Sequence, residues 1–488
     1  MKYLFINPPN RKLRNEVNKA VVPLGLAYIS AVLLKQSHEV KILDTVIEGI
    51  DNEFEHNNYK YYGLSLNKIR KEIDNFKPDV LGVSCLFTSV SDIAVEICKI
   101  AKECGTKYTI IGGPTPSALP EHFAANKAID FVFLGESENS ILEFSISIND
   151  NNTDGLKTID GIVYKDSDNN IVHQPKQRFI TNLDDIAFPA RHLLPMEKYF
   201  KISSPQGGIY KSTRSTPIMT SRGCTAKCAF CSSTKIWGNK YRYRSAANVI
   251  AELEHLKKEY KIEEFQVQDD NFTFNKQRTL DICDKLKGMN LHWSMPNGIA
   301  LWSLDEERIK AMSESGCHYV IAAIESGNQR VITKVMGKPV NLEKILEICR
   351  LISQYKITLA GFFIIGFPDE TLEDVKDTFR FALKCNLQIA GFNYATPLPG
   401  TRLWKQAEDK NLFIREFDLT NITYDRPSLK SRNWTVSELQ SLVLSLSRNY
   451  YLKTFLKRPT VILFRMLDAF KRNPAVLCRI IYYRIMRK

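Results

Sequence analysis

Short apolar runs alternate with amphipathic stretches over the first 150 positions. Residues 3–7 read as a strand, and 24–34 as a helix behind Pro23, a residue suited to a first helical turn. Positions 40–44, 80–85, 109–112 and 131–134 follow as strands, with helical patterns at 89–103, 117–126 and 137–147. Strands alternating with helices predict an α/β domain over 1–150, a doubly wound parallel sheet of five strands. Such a sheet takes ligands at the C-terminal ends of its strands, where the strand order reverses. Those ends carry Asn7-Pro8-Pro9, residues 84–89, Gly112-Gly113-Pro114 and Gly135-Glu136.

The polar stretch NDNNTDG at 149–155 opens a linker over 151–210. Within it, 161–164 and 171–173 flank a turn-rich segment and read as a small β-hairpin. The alternation then resumes, with strands at 217–220, 265–268, 292–294, 319–324, 361–365 and 391–394. Helical patterns separate them, for instance at 247–259, 305–313 and 342–355. Six βα units predict a partial (β/α)6 TIM-like barrel over 211–405, with its site at the C-terminal mouth. Residues 406–488 are expected to form a helical, basic C-terminal region.

Composition narrows the class. With 488 residues, 44% hydrophobic and 25% charged, the chain is an ordinary globular one, and wholesale disorder is excluded. The formal charge of +13 would suit nucleic acid, but eleven Lys/Arg and a single acidic residue fall within 448–488. The rest of the chain is nearly neutral, and no recognition module accompanies the charge, so nucleic-acid binding is not expected. Eleven cysteines in so long a chain are too sparse for a disulfide scaffold. The start MKYLFINPPN lacks a signal-peptide core, and no run of about 18 apolar residues is long enough to span a membrane. The cytoplasm is the expected compartment.

The chemistry concentrates in Ser221-Arg222-Gly223-Cys224-Thr225-Ala226-Lys227-Cys228-Ala229-Phe230-Cys231, directly after the first barrel strand. Three thiolates within eight residues can wrap three corners of a cubane iron–sulfur cluster and leave the fourth iron open. A closed zinc site would need a fourth ligand, and His255, the nearest downstream histidine, sits in a helical pattern away from the loop. Cys85, Cys98, Cys283, Cys317, Cys349 and Cys385 lie in apolar patterns and read as core residues.

The spacing Cys-x3-Cys-x2-Cys, with an aromatic residue before the last cysteine, resembles the radical S-adenosylmethionine (SAM) superfamily. Further stretches fit that resemblance: Gln268-Asp269-Asp270-Asn271 after the second barrel strand, Glu325-Ser326-Gly327 after the fourth, GFFIIGFPDET at 361–371 and NYATPLPGT at 393–401. The resemblance implies that Cys224, Cys228 and Cys231 hold a 4Fe-4S cluster. It places Gln268, Asp269 and Asp270 near the methionine amine of SAM, Glu325 and Ser326 near its ribose, and Gly366 near its adenine. The glycines at 361–366 are offset from the commonest form of the last motif. Taken alone, Asp269 or Glu325 is equally well read as a capping carboxylate.

The upstream domain resembles the cobalamin-binding domain, of flavodoxin-like fold, that is fused to many radical SAM enzymes. The likeness runs through Asn7-Pro8-Pro9, Val22-Pro23-Leu24-Gly25-Leu26, Ile111-Gly112-Gly113-Pro114, Leu134-Gly135-Glu136 and the phrase DIAFPARHLLP at 185–195. It implies cobalamin contacts at Pro9, Leu24, Gly25, Ser84, Gly112, Gly113, Gly135 and Glu136. No histidine sits in the Asp-x-His-x-x-Gly setting with which such domains supply a histidine to cobalt, so the lower face is expected to lack a histidine ligand. His122 reads as a surface residue.

The combined resemblance implies a cobalamin-dependent radical SAM methyltransferase acting on an unactivated carbon of a small molecule or lipid, with an electron donor such as flavodoxin or ferredoxin. A cyclase or rearrangement enzyme using the same cofactors is the alternative, and a non-catalytic cobalamin or iron–sulfur sensor is the alternative of another class. The basic tail has two readings: a helical cap on the barrel, or an amphipathic element touching an anionic membrane. Two helices, at 459–470 and 474–486, are predicted within it.

Overall fold

Strand β1 (Lys2–Asn7) is apolar on both faces, which is why it sits inside a parallel sheet. Tyr3 and Phe5 enter one hydrophobic cluster, while Leu4 and Ile6 enter a second on the opposite side. The computed structural model describes residues 1–12, 18–150, 153–202, 206, 208–415 and 418–457. Its first sheet continues with β2 (Glu39–Asp44), β3 (Val80–Ser84), β4 (Tyr108–Gly112) and β5 (Phe131–Phe133). These five are parallel, in the order β2-β1-β3-β4-β5, so the order reverses between β1 and β3.

The linker hairpin does not stand free. Its strands β6 (Ile162–Lys165) and β7 (Ile171–Gln174) add antiparallel to the β5 edge and make the sheet seven-stranded. Alternating burial shows each residue pair in sequence but not the edge a hairpin will join. A three-stranded ribbon of Asn10–Arg11, Tyr59–Tyr62 and Glu53–His56, with the helix Leu66–Phe76, was not visible in the pattern. Helix Leu24–Leu34 falls where Pro23 predicts it.

The second sheet has six parallel strands in sequence order: β8 (Ser215–Ile218), β9 (Glu264–Val267), β10 (His292–Ile299), β11 (Cys317–Glu325), β12 (Thr358–Ile365) and β13 (Ile389–Tyr394). An open six-stranded sheet with helices between its strands is the expected partial barrel. One continuous apolar cluster runs from Tyr3 and Phe5 through Leu194 and Phe200 of the linker to Phe265 and Trp293 of the barrel. The two domains therefore share a core.

Within the C-terminal region the helix Val436–Lys457 buries Leu439, Val443 and Tyr450, and the Tyr451 hydroxyl donates to the Ala390 carbonyl at 2.9 Å. Up to Lys457 the segment caps the barrel. The helices expected at 459–470 and 474–486, and most of the tail's charge, lie outside the described residues. Among the described residues no helix is long and apolar enough to cross a membrane.

Candidate functional site

The cysteine loop springs from β8 through a two-stranded ribbon in which Ser221–Arg222 pairs antiparallel with Arg242–Tyr243. Gly223 starts the loop with φ +86°, and a Cβ there would lie 2.3 Å from the Lys240 carbonyl oxygen. Only glycine fits that turn. Further along, the Ala229 amide donates to the Met336 carbonyl and its carbonyl accepts from the Leu403 amide, both at 2.8 Å. The loop is thus tied to the segments beyond β11 and β13.

Cys224 and Cys228 are half-buried, and burial pushes both thiols up. Cys231 is exposed as a residue while protein crowds its sulfur, and that lost hydration pushes its thiol up to about 12. Among the described residues no three His, Cys, Asp or Glu side chains converge as one metal ion would require. A cubane does not ask for convergence, because each thiolate takes a separate corner. Cys85, Cys98, Cys283, Cys317, Cys349 and Cys385 are all buried, as their apolar settings predict.

At the end of β9 the four predicted polar residues divide. Asp269 is buried and fully engaged, accepting from the Thr220 amide at 2.6 Å and from the Thr220 and Ser221 hydroxyls at 2.5 and 2.6 Å. It pins the root of the cysteine loop. Asp270 accepts from the Ser233 hydroxyl, and burial raises its carboxyl pKa. Asn271 is buried and accepts from Ser303 at 3.3 Å. Gln268 is the exception: its side-chain nitrogen is buried and has no partner among the described residues. A buried amide left unpaired costs roughly 1–3 kcal/mol, so Gln268 points to an acceptor supplied by a ligand.

Glu325 ends β11 in a left-handed conformation, φ +72°. Its carboxylate accepts from Lys338 at 2.8 Å, and the same buried ammonium donates to the Ala323 carbonyl at 2.6 Å. Ser326 is buried against Thr378 at 3.1 Å and caps Asn328. Gly366 donates its amide to Glu370 at 2.6 Å. Glu370 is fully buried, one of its oxygens has no partner, and burial pushes its pKa up to about 8.

The mouth of the first sheet is built differently. Pro9 is buried, Ser84 closes β3, and Leu86 and Phe87 beyond it are each 52% exposed. Leu24 is buried, whereas Gly25 faces outward: among the described residues a Cβ there would meet nothing within 4 Å. Gly112 ends β4, and Gly113 beside it packs so closely that a Cβ would lie 2.7 Å from the Cys85 carbonyl. His122 is exposed, its ring edge-on to Phe123, as the sequence suggests.

Gly135 and Glu136 are occupied otherwise than expected. A Cβ on Gly135 would lie 2.7 Å from the Ile236 carbonyl, in the short helix that follows Cys231. Glu136 is buried and accepts from Arg222, from Arg242 at 2.8 Å and from the Ile180 amide at 2.8 Å. Both residues therefore touch the cysteine segment. Sequence reasoning missed Arg222, Arg242, Glu138 and Lys338. Arg222 at least adjoins the cysteine motif, but a lone arginine or lysine in a loop carries no signal of burial.

A family model described as the radical SAM superfamily matches residues 218–382, and one described as a B12 binding domain matches 10–145. The cytidylyl-2-hydroxyethylphosphonate methyltransferase of Streptomyces wedmorensis is 33% identical over 92% of this chain and 90% of its own length. An uncharacterized methyltransferase of Pyrococcus horikoshii is 33% identical over 93% of each chain. The structure of the cobalamin-dependent S-adenosylmethionine radical enzyme OxsB, with aqua-cobalamin and S-adenosylmethionine bound, superimposes with a TM-score of 0.72 at 18% identity, covering 97% of this chain and 71% of that one.

Proposed function

The chain belongs to the cobalamin-dependent radical SAM enzymes, and from that premise we propose that it methylates an unactivated carbon of a small molecule or lipid. The cluster, SAM and cobalamin together supply the electron-transfer, radical and methyl chemistry. The protein's own residues bind, orient and shield. Cys224, Cys228 and Cys231 are the cluster ligands in this reading. The unpaired Gln268 amide is the group best placed to meet a SAM acceptor. Asp270, Glu325 and Ser326 border the same mouth, Lys338 fixes the Glu325 carboxylate, and the Gly366 turn is held by Glu370.

Cobalamin fits the edge between β1 and β3. Gly25 leaves the first turn of its helix bare, and glycine is a poorer helix former than alanine. Among the described residues no neighbouring atom accounts for the glycine, but a large flat ligand passing over the helix would. Pro9, Leu24, Ser84, Gly112 and Gly113 line the same edge, with Leu86 and Phe87 offering apolar contact.

The observation that carries the reading is the single loop bearing all three thiols at the mouth of a six-stranded barrel fused to this cleft. Anaerobic incubation of the reconstituted enzyme with dithionite and SAM is expected to yield 5′-deoxyadenosine, and its absence would sink the assignment. Metabolite and lipid mass differences between a deletion strain and its parent would identify the substrate. A gain of one CH₂ supports methylation, and a product without that gain rejects it.

A flavodoxin or ferredoxin as electron donor, and contact of segment 448–488 with anionic lipid, belong to the same proposal. Sedimentation with anionic vesicles, with and without 458–488, tests the second. Equal binding by both forms rejects it.

A further inference from the structure

The whole cysteine segment hangs from a narrow neck. Arg222 and Arg242 are direct partners across the antiparallel ribbon that opens and closes it, so two guanidinium groups face each other at the point where the chain enters and leaves. Like charges directly opposite on paired strands destabilise the pairing. Both side chains are also nearly out of water, 3% and 8% exposed, so solvent does not relieve the repulsion.

Relief comes from the other domain. Glu136, 1% exposed and just beyond β5, places one carboxylate between the two arginines. Glu138 takes the second arm of Arg222 at 2.6 Å, which balances the four charges, and Arg222 outweighs burial in holding the Glu138 carboxyl below its usual range. Arg242 further donates to the Ile180 carbonyl at 2.6 Å and the Trp237 carbonyl at 2.9 Å. Buried ion networks seldom add stability over well-packed apolar residues, but losing one member is costly, roughly 3–5 kcal/mol. What such a network can supply is register between the parts it joins.

We propose that Glu136 is a positioning residue that latches the neck of the cysteine loop to the cobalamin domain, so that occupancy of the sheet's cleft and order of the loop are coupled. Glu136 follows Leu134 and Gly135 at the end of β5, on the ligand edge of the sheet, while Gly135 packs on the helix after Cys231. A ligand that steadies this edge steadies the neck. The inference rests on the proposed function only for the identity of that ligand, cobalamin.

The test is hydrogen exchange of peptides covering 223–241 in the reconstituted enzyme, with and without hydroxocobalamin. In the parent, cobalamin is expected to slow exchange there. In Glu136→Gln, basal exchange of 223–241 should rise at least tenfold, the cobalamin-linked slowing should vanish, and exchange in β9–β12 should stay within twofold of the parent. Glu136→Asp should fall between. Glu264→Gln serves as control, because Glu264 is also buried and accepts from the Lys211 and Ser212 amides, but starts β9 at the end of the barrel away from the neck.

If Glu136→Gln does not fold, the double variant Glu136→Gln/Arg242→Leu removes the repulsion along with its relief. It should regain most of the basal protection without the cobalamin response. The latch is overturned if 223–241 exchanges no faster in Glu136→Gln, if Glu264→Gln speeds it equally, or if the double variant stays as open as the single one. A parent that binds no cobalamin at all indicts the proposed function instead.

Discussion

The two mouths of this molecule lie on similar parallel sheets but are lined by different chemistry. The barrel mouth is dense in donor atoms: three thiols, an unpaired amide on Gln268, and carboxylates pinned by hydroxyls or by Lys338. The edge of the first sheet offers fewer, Asn7 and Ser84 among them. Its β1 and β3 ends present Pro8, Pro9, Leu86 and Phe87, and its most telling feature is empty space over Gly25. A cofactor bonded through specific atoms demands those atoms, whereas one held by its area demands room and apolar contact. The first kind of site is recognised by what is present, the second by what is missing.

The sharpest way to break the contrast is Cys228→Ala, which should abolish both the cluster's visible absorbance and 5′-deoxyadenosine formation while cobalamin still binds. Gly223→Ala is next. Its Cβ would strike the Lys240 carbonyl in a backbone conformation that costs alanine about 1–2 kcal/mol. Iron content after reconstitution is expected to fall more than tenfold.

On the other mouth, Gly25→Phe should leave the melting temperature within a few degrees of the parent, because its side chain enters open space. Cobalamin affinity should drop at least tenfold, and unchanged affinity would move the corrin away from this helix. Gln268→Leu should weaken SAM binding about five- to tenfold with little loss of stability, since it removes a buried donor that lacks a partner.

The smallest effect concerns Glu370, behind the barrel mouth. Its pKa is raised to about 8 by burial, so between its ordinary value and that point the folded protein keeps a proton that the unfolded chain has released. Its stabilising contribution is complete below about pH 4.5 and is lost as pH rises toward 8. Melting temperatures measured from pH 5 to 8 should fall less steeply in Glu370→Gln than in the parent.

Much of this was legible before any coordinates. The strand runs lay within a few residues of the observed strands because parallel strands buried on both faces are bounded apolar segments, and Pro23 marked a helix start. The cysteine loop was legible because its ligands are near neighbours in the chain. Asp269 and Glu136 were legible as important but not as to role. Asp269 became the pin of the loop's root, and Glu136 turned inward to two arginines 86 and 106 positions away.

Sequence by itself determined the strand–helix alternation, the three thiols and the location of the excess charge in the last 41 residues, because each is a property of neighbours along the chain. Only the tertiary structure decided that the hairpin would extend the first sheet, that Gln268 would be left unpaired, and that one carboxylate would close the neck of the cysteine loop. Those outcomes depend on which distant groups share a space that water has left, and burial of a polar side chain becomes defined only once the domains pack together.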